Sequence, residues 1–157
     1  NKKEAKAEVK SNKDKYKKFI LYAQSLGSIV ALRALADIED HQFIDLLVLD
    51  SPFDSYLEIA QEKVAANLIT IPFYPLTYLL FSDEMAPKKF ISSFKIPTLV
   101  IHSINDPIVP YKLGRKLYNT LETTKWFWKL ESPGHTDIFF VEKGKYRKKF
   151  LDFIEKI

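Results

Sequence analysis

The sequence predicts an α/β fold, a mostly parallel sheet flanked by helices, and three observations lead there. Four short runs rich in β-branched, aromatic or leucine residues recur along the 157 residues: 18–23 (KFILYA), 43–49 (FIDLLVL), 98–102 (TLVIH) and 125–130 (KWFWKL). Each is nearly continuous in apolar character rather than alternating, the pattern of strands buried on both faces. Stretches of helical periodicity separate them, as parallel pairing requires of its crossovers.

The elements follow in order. After the first run, 26–36 (LGSIVALRALA) carries small and aliphatic residues at helical spacing with no interior proline, and reads as a buried helix. Residues 112–121 place Leu113, Leu117 and Leu121 four apart on one face of a second helix. At the C-terminus Phe150, Phe153, Ile154 and Ile157 fall at i, i+3, i+4 and i+7 against a lysine-rich face, a helix built to dock on the sheet. Between the second and third strands lies more chain than a crossover needs, residues 51–96. This insertion begins as a helix over 55–66 and continues through the apolar run 68–81 (LITIPFYPLTYLLF). Its place past a strand's C-terminal end suits a small lid over a site.

Composition bounds the rest. At 46% hydrophobic and 14% aromatic, the chain has material for one packed domain over 1–157. The net charge of +4 is concentrated in a basic lead-in at 1–17, where lysines interleave with Glu4, Glu8 and Asp14. That spacing reads as the solvated end of a helix rather than a nucleic-acid site, and no nucleic-acid partner is expected. The chain opens on Asn1 rather than Met, so its native N-terminus is expected to lie upstream. Without cysteine there is no disulfide, thiolate site or cysteine nucleophile; the redox compartment stays open, and a cytoplasmic setting is favoured. The run 68–81 is shorter than the roughly 20 residues of a membrane span and contains Pro72 and Pro75. No cluster of His and carboxylates has metal-ligand spacing, so neither metal nor other cofactor is expected.

The chemistry sits in the turns after the strands. The first strand enters Ala23-Gln24-Ser25-Leu26-Gly27 and passes directly into a helix, the strand, sharp turn, helix setting of a nucleophile elbow. Ala23 and Gly27 supply the small flanks such a turn is expected to need, although Ala23 departs from the usual glycine. A serine needs a base and a group to orient it. Asp106 follows the third strand in HSINDPIVP, and His135 follows the fourth in SPGHTD. Asp50, at the end of the second strand, is a rival acid, though it reads better as the cap of the following helix. His41 and His102 read as structural, and Asp137 as a turn residue.

Together AQSLGS, LDSPF, IPTLVIHSINDPIVP and GHTD resemble the α/β-hydrolase superfamily, and in particular its small-lid serine hydrolases and S33-type aminopeptidases. The resemblance runs over residues 15–157 and implies the C-terminal half of that fold. It implies Ser25 as nucleophile, Asp106 as orienting acid, His135 as general base and the Leu26 N–H as one oxyanion donor. The implied activity is hydrolysis of an ester, thioester or amide, closer to a carboxylesterase or acyl-thioesterase than to an aminopeptidase. The superfamily's remaining strands, with the second oxyanion donor, would then come from an N-terminal half or a completing chain, and the chain alone is expected to be inactive.

Phe73, Tyr74, Tyr78 and Phe81 of the lid suit a small-molecule or acyl substrate, or a peripheral membrane contact, or else simply pack the lid onto the core. Two other function classes stay open: a non-catalytic interaction protein on a degenerate hydrolase scaffold, to which Ala23 and Ser28 point, and a peripheral membrane-binding module.

Overall fold

A computed structural model describes residues 17–38, 41, 43–84, 86–89, 91–131 and 134–157. The basic lead-in at 1–16 and the dipeptide at 132–133 lie outside them. Four strands, β1 (Ile20–Gln24), β2 (Leu46–Asp50), β3 (Thr98–Ser103) and β4 (Lys125–Leu130), form one sheet in chain order. All neighbouring pairs are parallel. Helix α1 (Leu26–Ala36) joins β1 to β2, and α4 (Tyr111–Thr120) joins β3 to β4. The insertion carries α2 (Tyr56–Ala65) and α3 (Tyr74–Leu80), and α5 (Lys145–Lys156) closes the chain.

Stepping through the sheet in one direction with right-handed crossovers puts successive connections on one face. The two cores show that division. Leu47, Leu49 and Val100 pack with Leu32 and Leu35 of α1, Leu117 of α4, and Ile91 and Phe94 of the insertion's return. The residues one step out of phase, Leu46, Val48, Leu99 and Ile101, pack on the opposite face with Tyr146, Phe150 and Phe153 of α5. Both faces are covered, which is why β2 and β3 are buried along their whole length. Trp126 and Trp128 of β4 meet Phe153 edge-on, at 5.1 and 5.4 Å between centroids. At the start of β4, Lys125 donates to the carbonyls of Tyr118 and Leu121, both at 2.8 Å, satisfying the C-terminal end of α4.

The insertion is tied down at its ends. Ser55 caps α2 by accepting from Glu58 N–H at 3.0 Å, and its hydroxyl donates to Asp83 at 2.6 Å. Asp83 also accepts from Leu57 N–H and from Lys88. Helix α2 is held beside α4 by Lys112–Glu62 at 2.7 Å and by Lys116–Glu58, while Lys63 donates to the Pro107 carbonyl at 2.8 Å. Between these anchors the apolar stretch faces outward. Phe73, Tyr78 and Phe81 are 57%, 64% and 44% exposed, so packing onto the core does not account for them; Tyr74 is half-buried against Tyr78. No helix among the described residues is long and apolar enough to cross a membrane.

His102, the last residue but one of β3, lies on the face covered by α4, wholly buried. A Cβ added at Gly114 of α4 would lie 2.0 Å from His102 Nδ1. Gly114→Ala is therefore expected to destabilise the fold by about 1–3 kcal/mol through overpacking. Urea unfolding should show a lower midpoint at an unchanged slope.

Candidate active site

The turn between β1 and α1 places Ser25 at φ 50, ψ −125. A non-glycine residue held in such a sparsely populated region costs of order 1–3 kcal/mol, so it must be held by its surroundings. Part of that hold is the Ser25 N–H, which donates to the Asp50 carbonyl at 2.8 Å and extends the β1–β2 ladder past the Gln24–Asp50 pair. A serine immediately before a helix ordinarily caps it with its hydroxyl. Ser25 makes no such bond. Its hydroxyl is left open, and it forms no hydrogen bond to another side chain among the described residues.

The small flanks of the turn have different reasons from those the motif suggests. Ala23 is buried, but a Cβ on Gly27 would meet nothing within 4 Å, so crowding does not require that glycine. Ser28 is wholly buried, and its hydroxyl donates to the Ala23 carbonyl at 3.2 Å. It fastens the first turn of α1 to the end of β1. Leu26 opens α1, so its N–H is one of the first-turn donors that no carbonyl of the same helix can satisfy.

Past β3, the Asp106 carboxylate is fully buried and accepts from the N–H groups of Ile108 and Val109, each at 2.8 Å. His135, in the loop past β4, presents Nδ1 to both its oxygens, at 2.9 and 3.1 Å. Burial pushes the Asp106 pKa up, but the hydrogen bonds from His135, Val109, Ile108 and Ser51 outweigh it and hold the carboxyl below its ordinary value. An ionised Asp106 fixes the His135 tautomer with its proton on Nδ1, leaving Nε2 as the basic nitrogen.

Asp50 is not the cap of the helix after Pro52; Ser55 does that. The Asp50 carboxylate instead accepts from Tyr22 Oη at 2.8 Å and Gln24 Nε2 at 3.3 Å. Burial raises its pKa, and the hydrogen bonds from Tyr22 and Gln24 with the field of His135 only partly offset this. Burial likewise raises the Tyr22 hydroxyl. Gln24 reaches further, donating at 3.0 Å to the carbonyl of Thr136, the residue after His135. The elbow and the histidine loop are therefore joined through the immediate neighbours of Ser25 and His135. Neither Gln24 nor Tyr22 stands out in the sequence, where Gln24 occupies an unspecified place in the elbow; only their i, i+2 spacing on β1 could have paired them.

The remaining candidates have structural partners. His41 bonds the Leu35 carbonyl at 2.7 Å and meets Phe94 edge-on. His102 Nε2 donates to the Val109 carbonyl at 3.0 Å, and burial lowers its pKa, so it is a neutral post beneath the Asp106 loop. The Asp137 carbonyl accepts from Phe140 and Val141 N–H, closing a turn. No hydrogen bond among the described residues links Phe73, Tyr74, Tyr78 or Phe81 to Asp106 or His135. Among the described residues no group of three or more His, Asp or Glu side chains could hold a metal ion.

No protein-family model matches the chain. It is 28% identical over 139 residues to the uncharacterized protein YfhR of Escherichia coli K12, covering 87% of this chain and 45% of that protein. It is 29% identical over 140 residues to the lysophosphatidylserine lipase ABHD12 of Gallus gallus, covering 81% and 36% respectively. The chain thus spans less than half the length of these curated relatives. Among solved structures, the Pyrococcus furiosus esterase Pf2001 superposes with a TM-score of 0.63 at 24% identity, over 98% of this chain and 60% of the esterase. The acylaminoacyl peptidase of Pyrococcus horikoshii gives 0.63 at 18% identity, over 88% and 24%. The four-stranded parallel sheet flanked by helices thus reproduces part of the fold of α/β-hydrolase enzymes, and over most of its length the sequence is similar to a lipase.

Proposed function

We propose that this chain supplies the nucleophile, base and orienting acid of a serine hydrolase that cleaves esters through an acyl-enzyme. The observation that carries the reading is the buried Asp106–His135 pair, tied through Gln24 and Thr136 to a serine in a strained, uncapped turn. Ser25 Oγ attacks the substrate carbonyl as His135 Nε2 takes its proton; the imidazolium is stabilised by Asp106 and then protonates the leaving group. Water, deprotonated by the same nitrogen, attacks the acyl-enzyme and releases the acid, with the proton returning to Ser25. The Leu26 N–H supplies one oxyanion donor. The second would come from a segment pairing outside β1, which stands at one edge of the described sheet; an N-terminal half of the same protein or a completing chain would fill that place.

Thioesters and amides follow the same chemistry, but two observations favour an ester with an apolar acyl group. Residues 64–82 carry no charge, and Leu68, Ile69, Leu79 and Leu80 join the lid aromatics in exposing apolar surface. A relative is named a lysophosphatidylserine lipase and a structural neighbour an esterase. The same surface would also suit contact with a membrane that presents such substrates.

In the protein completed by its N-terminal half or partner chain, a fluorophosphonate probe is expected to label Ser25 and to leave Ser25→Ala unlabelled, read by mass spectrometry of the labelled peptide. Among aryl esters of increasing acyl length, kcat/KM is expected to rise with chain length; a preference for acetate would argue against the apolar acyl group.

Asp106 and Asp50 should respond to pH with opposite signs. The folded pKa of Asp106 lies below its unfolded value, so its ionised bonds stabilise the fold above the ordinary carboxylate range and are lost as pH falls through the depressed value. Asp106→Asn is expected to cost about 2 kcal/mol at neutral pH and progressively less in acid, besides lowering kcat by roughly 10³–10⁴-fold. The folded pKa of Asp50 lies above its unfolded value, so its ionisation opposes folding as pH rises from the ordinary value to the raised one. Asp50→Asn should therefore gain stability relative to wild type between acid and neutral pH. Urea midpoints measured across that range check both signs.

A further inference from the structure

We propose that Gln24 is a positioning residue for His135: its side-chain amide joins the buried Asp50 carboxylate to the Thr136 carbonyl and fixes the backbone that carries the imidazole. The proposal deepens the serine-hydrolase reading and rests on it for its consequence in catalysis, while its structural content stands on the hydrogen bonds alone.

Gln24 is the last residue of β1 and pairs in register with Asp50. Its Nε2 lies 3.0 Å from Thr136 O and 3.3 Å from Asp50 Oδ2. Both partners are acceptors in this arrangement, and the amide nitrogen with its two hydrogens serves both without introducing a charge, each hydrogen being used once. A glutamate of the same shape would oppose them. The Asp50 end of the bridge is rigid: this residue is 1% exposed, and its Oδ2 is also fixed by Tyr22 Oη at 2.8 Å. Tyr22 in turn packs against Phe139 and Phe150, with centroids 5.7 and 6.1 Å away.

The Thr136 end is where a hold is needed. Thr136 has φ 56, a left-handed conformation that a β-branched residue rarely adopts. The loop is also tight, since a Cβ on Gly134 would lie 2.3 Å from the Asp137 carboxylate oxygens. Asp106 holds the ring of His135 but not the backbone that carries it. Gln24 adds that second constraint, linking the histidine loop directly to the strand that ends in the nucleophile. Displacement of a reacting group by about 1 Å costs on the order of 10²-fold in rate, so a backbone anchor one residue from the base has a measurable effect.

The test uses Gln24→Met, which keeps the length and removes the donor, in the protein completed by the N-terminal half or second chain that pairs outside β1. Hydrolysis of an aryl ester is expected to fall by about 10²-fold in kcat with KM within about twofold. Amide hydrogen exchange over residues 134–140 should speed up by about tenfold or more. Adding Thr136→Asn, a residue that tolerates left-handed backbone, to Gln24→Met should restore part of the lost kcat and slow the exchange again. Unchanged kcat, a loss confined to KM, or a kcat loss without faster exchange in this loop overturns the proposal. If the completed wild-type protein neither hydrolyses esters nor reacts with the probe, the hydrolase reading fails. The exchange rates of Gln24→Met still decide whether Gln24 anchors the loop.

Discussion

Everything chemical in this molecule depends on strands that all end on the same side. Parallel pairing sets Gln24 beside Asp50, Asp50 beside Ile101, and Ser103 beside Leu130, so the turns that follow the four strands meet at one edge of the sheet. Residues separated by as much as 112 positions, Gln24 and Thr136, come within hydrogen-bond distance because of that alignment. The Ser25 N–H bond to the Asp50 carbonyl is its last rung. A slip of one residue in β1 would remove this bond, turn the apolar side chains of the strand to the wrong faces, and separate the elbow from the histidine loop.

Two buried carboxylates stand at this edge, and their surroundings divide the labour between them. Asp106 receives two backbone N–H groups and the imidazole, a set of donors that favours the anion despite complete burial. Asp50 receives a phenol, an amide and, at 3.5 Å, the Ser51 hydroxyl, none of them backbone, and burial prevails. The group in the better hydrogen-bonded place is the one bonded to His135; the other braces the turn. Which acid stays ionised beside His135 is thus decided by donors on neighbouring backbone rather than by which carboxylate lies nearer a strand end.

The fold was largely legible in the sequence, for reasons specific to each element. Helix α1 and strand β4 occupy the expected residues because sharp boundaries enclose them, the elbow before one and charged turns around the other. The first two strands begin two or three residues later than their apolar runs. Phe19, Phe43 and Ile44 are apolar because they pack into the core ahead of the ladder. Helix α5 begins at Lys145, ahead of its apolar spacing, because its first turns are mostly charged. In the site, Ser25, Asp106 and His135 could be nominated because each carries a recognisable local sequence. Gln24, Tyr22 and Ser51 could not, since their significance lies wholly in what stands across the strand from them. The orientation of the lid aromatics was equally hidden: a run such as FYPLTYLLF has the same composition whether it faces a core or a solvent.

The contact between Gly114 and His102 separates two kinds of history that a sequence can record. On the function proposed above, serine at 25 is there for what it can do to a carbonyl, and a descendant that gave up such chemistry would be free to replace it. Glycine at 114 answers to a neighbouring ring that touches no substrate, and every other side chain begins with the carbon for which there is no room. Loss of activity would leave that demand in place. Among relatives of this chain, the first position reports whether the trade is still practised, and the second only whether the workshop still stands.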